Sequence, residues 1–337
     1  MADNVCVLVP TYNEAATIGE VVGGLRAEGF ENVLVIDGHS SDDTQRIAEE
    51  HGARVVTQSG TGRGGGKGEA VREAVLHYID AEYVLMLDGD GTYREEDAHA
   101  MLEPLFDGRA EHVVGDRFAD MESGAMTTLN RYGNRMINAG FQVIHKKNFG
   151  DILSGYRAFT RESFERMTLN AEGFGIETEL AVECARHDIP TEVVDITYLA
   201  RPDGSETNLR PFRDGGLILL TLYLRAKTHN PLFYFGSVGG VLGVTSVILA
   251  AYVAYEFVEK GISHEVLAVL SGVLLLLGVQ LIMFGVLADT VVALHREQRT
   301  RLERIAARTG NEDVLDGPAD GQAEGVDGIQ TELPDQN

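Results

Sequence analysis

Over roughly the first 210 residues, short apolar runs alternate with amphipathic stretches, and two long uncharged stretches follow. Runs of β-branched and aliphatic residues bounded by turn formers predict strands over 5–9, 33–36, 54–57, 83–87 and 112–114. Apolar positions three and four residues apart predict helices over 15–28, 42–51, 67–80 and 94–106. Strands alternating with helices call for right-handed crossovers and a mainly parallel sheet covered on both faces. Ligands of such sheets lie at the carboxyl ends of the strands.

The second part of the chain has a different solvent. Residues 232–255 carry no charge and as a helix would run about 36 Å, enough for a hydrocarbon core of about 30 Å. Residues 266–288 are equally uncharged. Arg225 and Lys227 precede the first stretch and Arg296, Arg299, Arg301 and Arg304 follow the second, so both termini and the catalytic part are expected on the cytoplasmic side of the cell membrane. The start of the chain shows no signal-peptide pattern. Asp289 reads as an interfacial charge. Four segments result: a catalytic domain over 1–210, an amphipathic interfacial segment over 211–230, a transmembrane helical hairpin over 231–294, and a basic juxtamembrane helix with an acidic, disordered tail over 295–337.

A formal charge of −24 disfavours nucleic acid as a partner and matches adaptation to a salty cytoplasm. At molar salt the Debye length is about 3 Å, so the global charge hardly repels an anionic substrate met by local arginines. Cys6 and Cys184 form no CxxC or Cys/His cluster and read as core residues.

Chemistry collects at the strand ends. Pro10-Thr11-Tyr12-Asn13-Glu14, Asp37-Gly38-His39-Ser40 and Asp88-Gly89-Asp90 each begin where a predicted strand stops. An Asp-Gly-Asp alone is more often a turn than a metal site. At successive strand ends the three share one crevice, where two carboxylates can hold a hard divalent cation against a diphosphate. The glycine run at 60–68 lacks the Walker A pattern, since positions 61 and 68 are Thr and Gly. The stretch 130–137 reads as a basic amphipathic helix, either an ordinary surface helix or one lying at the bilayer interface, and 212–227 is a second candidate for the interface.

These motifs, with Gly66-Lys67-Gly68, Gly115-Asp116-Arg117 and Ser154-Gly155-Tyr156-Arg157, resemble in order and spacing the family 2 glycosyltransferases, most nearly the dolichyl-phosphate mannose and glucose synthases and their haloarchaeal counterparts that load the first sugar of S-layer N-glycans. The resemblance implies a GT-A domain, Rossmann-like with a mainly parallel sheet, and inverting transfer of a hexose from a nucleotide sugar to dolichyl or polyprenyl phosphate. UDP-glucose is the leading donor and GDP-mannose the alternative. It also implies that Pro10, Tyr12, Glu14, Asp37 and Lys67 bind the nucleotide, and that Asp88 and Asp90 serve Mg2+ or Mn2+ and the donor diphosphate. Arg117, Arg131 and Arg157 would hold phosphate near the reaction centre, and Glu177 and Glu179 match an acidic motif of the family. The family's usual Asp-Asp-Gly-Ser is Asp37-Gly38-His39-Ser40 in this chain, which leaves the nucleobase contact open. Gly204-Ser205-Glu206-Thr207 lacks the basic residue often found after Gly-x-Ser, so Arg210 or a membrane-proximal base would replace that charge. A processive polysaccharide synthase would carry Gln-x-x-Arg-Trp, and the chain has no tryptophan. A non-catalytic nucleotide-binding scaffold would tolerate loss of Asp88, Asp90 and Arg117.

Overall fold

The computed structural model describes residues 4–60, 66–169, 175–202, 223, 227 and 230–315, with side chains to 294. Strands β1 (Val5–Thr11), β2 (Val33–Asp37), β3 (Arg54–Thr57) and β4 (Tyr83–Met86) alternate with helices α1 (Ile18–Ala27), α2 (Thr44–Glu50) and α3 (Lys67–Glu73). After α4 (Ala98–Phe106) come β5 (His112–Met121), α5 (Thr128–His145), β6 (Arg157–Thr160), α6 (Arg161–Glu165), α7 (Ile176–Arg186) and β7 (Thr191–Tyr198). The sheet order is β3-β2-β1-β4-β6-β5-β7, with β6 antiparallel to both its neighbours and the other pairs parallel.

Burial on both faces explains why β1 and β2 read as unbroken apolar runs. Val5, Val7 and Val9 of β1 face a core shared with α1 and α4, while Cys6 and Leu8 face a second core shared with α3, α5 and α7. Pro10 is tolerated in this central strand for a local reason. Leu8 accepts from Leu87 on the β4 side, Pro10 has the same parity, and β4 has ended by then, so its missing N–H breaks no ladder bond.

All five predicted strands are present, but β6 and β7 were not predicted. β6 has only four residues and starts on an arginine, and β7 is a half-exposed edge strand. β5 runs past the predicted stop at 114, across an irregularity between Asp116 and Asp120. The predicted helix over 67–80 continues from α3 as a wider π turn, Ala74–Tyr78. The helix predicted from 15 begins at Ile18; just before it, the backbone N–H groups of Glu14 and Ala15 donate to Thr44 Oγ1 (2.8 Å) and an Asp42 carboxylate oxygen (3.2 Å).

Helices α8 (Pro231–Lys260) and α9 (Glu265–Leu315) form an antiparallel hairpin. The most apolar 18-residue stretches of Pro231–Lys260 and Glu265–Leu294 have mean hydropathies of 1.9 and 2.6, and both segments are long and apolar enough to cross a membrane. The helices cross at glycine: a Cβ on Gly239 would lie 2.6 Å from the Gly278 carbonyl oxygen, so any larger side chain would force the backbones apart. Ser246 Oγ adds a bond to the Ser271 carbonyl at 2.6 Å. Asn230 caps α8 by accepting from Phe233 N (3.1 Å) and donates to the Ile144 carbonyl of α5 (2.9 Å), while Phe233 and Tyr234 pack on the core beneath. The hairpin is therefore docked on the catalytic domain. The proposed interfacial segment and the tail from 316 onward lie largely outside the described residues, as does Arg210.

Candidate active site

Asp88 and Asp90 follow β4, at the point where the strand order turns from β1 towards β2 on one side and β4 on the other. This is the switch point at which doubly wound sheets open a crevice. Thr17 Oγ1 donates to the Gly89 carbonyl at 2.6 Å and pins the turn. Thr92 donates to Asp90 Oδ1 from its hydroxyl (2.6 Å) and its amide (3.2 Å), and the Arg201 guanidinium occupies Oδ2. Lys67, the first residue of α3, bridges Asp88 and Glu177, the latter at 2.5 Å. Burial works against its ammonium charge, but the two carboxylates outweigh burial and hold the group protonated. Gly155 closes the far side, where a Cβ would come within 2.5 Å of Asp88 Oδ2.

Tyr93 ties this acid cluster to a basic one. Its hydroxyl accepts from Gly155 N at 2.9 Å, and Arg117, Asp88 and Lys67 all lie within its electrostatic reach. Arg117 forks onto Asp151 at 2.5 and 3.1 Å and lies over the Tyr198 ring at 5.3 Å. Burial disfavours its charge, yet Asp151 keeps the guanidinium firmly protonated.

One expectation requires correction. Arg157 is fully buried and donates to the Ser154 carbonyl (3.1 Å), the Ile152 carbonyl (2.7 Å) and His112 Nε2 (3.0 Å). Its donors are turned into the protein, so it staples the 150–155 loop that carries Asp151 and Gly155 rather than meeting a phosphate. Arg131 is exposed on α5, and among the described residues no bond joins it to the acid pair.

The nucleotide-side residues surround the ends of β1 and β2. Pro10 is buried, and Tyr12 and Glu14 are half-buried in the following loop. Asp37 is fully buried and its carboxylate accepts from Ser40 Oγ (2.5 Å), Ser40 N (2.8 Å), Gln45 Nε2 (2.6 Å) and Thr11 Oγ1 (3.3 Å). Glu179 is buried beside Glu177 on α7. Sequence reasoning missed Thr92, Tyr93, Asp151 and His112. The first two directly follow Asp-Gly-Asp-Gly and could have been suspected; Asp151 and His112 carry no local signal.

Residues 6–168 match the glycosyl transferase family 2 description. The chain is 63% identical to glycosyltransferase AglJ of Haloferax volcanii, over 90% of this chain and 98% of the relative. It is 33% identical to a dolichyl-phosphate hexose transferase of the same organism, over 64% of this chain and 91% of the relative. Among solved structures, glucosyl-3-phosphoglycerate synthase from Mycobacterium tuberculosis, in complex with Mn2+, UDP and glucosyl-3-phosphoglycerate, superposes with a TM-score of 0.52 at 22% identity. That match covers 66% of this chain and 79% of the mycobacterial one, and it shows a shared GT-A fold. The chain belongs to the family 2 glycosyltransferases, and it is a glycosyltransferase with a GT-A domain followed by two apolar helices.

Proposed function

We propose that this enzyme transfers a hexose, with inversion, from a nucleotide sugar to a polyprenyl phosphate such as dolichyl phosphate at a membrane surface, and that UDP-glucose is the donor. The observation that carries the reading is the docking of an apolar hairpin on the domain whose sheet carries an acid pair at its switch point. The relatives in Haloferax volcanii support a role in glycan assembly on a lipid, and the choice of UDP-glucose follows the likeness to haloarchaeal enzymes.

The donor set suits Mg2+ or Mn2+. Asp88, Asp90 and Glu177 bring three carboxylates against the two cations Lys67 and Arg201, and Asp90 Oδ2 already faces a positive group. Among the described residues no cluster of three or more ligating side chains stands ready for a metal. Asp88 and Asp90 would therefore hold the ion together with the diphosphate itself, as hard, partly hydrated cations are commonly held. When bound, the ion neutralises charge on the departing nucleoside diphosphate. Lys67 and Arg201 add fixed positive charge beside the same oxygens. An acceptor phosphate has a second pKa near 6 and is mostly dianionic at neutral pH, so it needs orientation more than a base. Arg117, held rigidly by Asp151 beside Tyr93, is the guanidinium placed to orient it.

Helix α5 supplies the lipid-facing surface in this reading. Leu129, Tyr132, Met136 and Val143 are exposed at helical spacing, with Arg131, Arg135, Lys146 and Lys147 on the same helix and its end. Such a face suits an anionic bilayer. The flanking arginines and lysine in the sequence support a cytoplasmic catalytic domain and cytoplasmic termini.

The test is incubation of the chain in dolichyl-phosphate vesicles with labelled UDP-glucose, GDP-mannose or UDP-N-acetylglucosamine. Lipid-extractable label from UDP-glucose is expected. Label from GDP-mannose instead would reassign the donor, and no lipid-linked label from any nucleotide sugar would overturn the proposal.

A further inference from the structure

Within the donor reading above, we infer that His39 is the specificity-determining residue that meets the nucleobase, next to Gly38, the position at which this chain lacks the usual carboxylate. With the diphosphate at Asp88 and Asp90, past β4, the nucleoside lies across the ends of β1 and β2, against the 12–14 and 37–41 loops. A carboxylate has about four acceptor positions, and Asp37 has four protein donors on it while lying fully buried, so in the unliganded chain it organises the loop. Gly38 has no side chain to offer. His39 is the next residue, and its Nε2 is buried without a hydrogen-bond partner.

The backbone makes the same point independently. His39 has a φ of +63°, the left-handed region that favours glycine. Among the described residues it alone combines a positive φ with an orphaned buried side-chain nitrogen. Strain and an unmet polar group together mark a residue held for a ligand. The loop is also fixed from its neighbour. Asn13, with a φ of +56°, donates from its amide to Ser40 Oγ (2.8 Å) and accepts from Ser41 N (2.8 Å), so the two loops after β1 and β2 are stitched on both sides of His39. The chemistry fits a base edge. Imidazole can accept from a ring N–H or donate to a ring carbonyl, and uracil presents both, whereas a carboxylate can only accept.

The experiment measures binding of UDP and of ribose 5-diphosphate, its analogue without a base, to the full-length chain by calorimetry with Mn2+ present. The variants are His39→Gly, which relaxes the positive φ so that strain cannot explain a loss, and His39→Asn, which tolerates that backbone and keeps a polar tip. Wild type should prefer UDP. His39→Gly should weaken UDP about 10-fold, in line with loss of one buried hydrogen bond, and leave ribose 5-diphosphate unchanged, while His39→Asn recovers part of the preference. If His39→Gly keeps the full preference, or weakens both ligands equally, the assignment of His39 is wrong while the donor site stands. If wild type binds neither ligand, the donor reading itself fails.

Discussion

Two polar clusters sit on the same sheet, and burial separates what they do. At the mouth, Asp88 and Asp90 meet Lys67 and Arg201, side chains that remain partly open to solvent and can exchange partners. Behind them, Arg157 and His112 are sealed, and their partners are chain carbonyls and each other. Both clusters hold charge, yet the first is arranged for a ligand and the second for the fold. Arg117 lies between, buried like the second but linked through Tyr93 to the first.

The contrast breaks most sharply at Arg157. Arg157→Ala leaves two buried carbonyls and a buried imidazole unpaired and should cost about 3–5 kcal/mol of stability. A large fall in the unfolding midpoint of the detergent-solubilised chain checks this; an unchanged midpoint with lost turnover would return Arg157 to the reaction centre. Asp90→Ala should do the opposite, lowering kcat by about 100- to 1,000-fold with little change in the midpoint. Radiolabel transfer and thermal melting on the same sample separate the two. Gly155→Ala sharpens the boundary, because its Cβ must push against Asp88. It should lower kcat by about 10-fold and cost about 1–3 kcal/mol of stability, as overpacking does, read from the same pair of assays.

The smallest effect is a pH dependence. Burial, with Arg157 alongside, holds the His112 imidazole well below its ordinary range, so the folded chain keeps it neutral where the unfolded chain takes up a proton. The stability that depends on this is complete above about pH 6.5 and is lost as pH falls, by at most about 1.4 kcal/mol per pH unit. Urea midpoints between about pH 6.5 and 5.5 should show a slope in wild type that His112→Gln lacks.

The sequence made the first cluster legible and hid the second. Asp88, Asp90 and Asp37 end apolar strands, where alternation and composition reveal them, and the uncharged stretches announce the hairpin through length alone. Arg157 looked like a phosphate ligand because an arginine after Ser-Gly-Tyr carries no local sign of burial. Its fate depends on β6 pairing antiparallel between β4 and β5, a long-range event that a four-residue strand does not advertise. Arg201 meeting Asp90 across the chain is equally non-local, and Gly155 shows its purpose only once Asp88 is seen against it.

The central claim is that the acid pair holds a divalent cation together with the donor diphosphate. Titration of Mn2+ into the full-length chain with UDP, followed by electron paramagnetic resonance, tests it most directly. One tightly held ion that appears only with UDP and is lost in Asp90→Ala is the predicted result. Equal uptake by wild type and Asp90→Ala would contradict it.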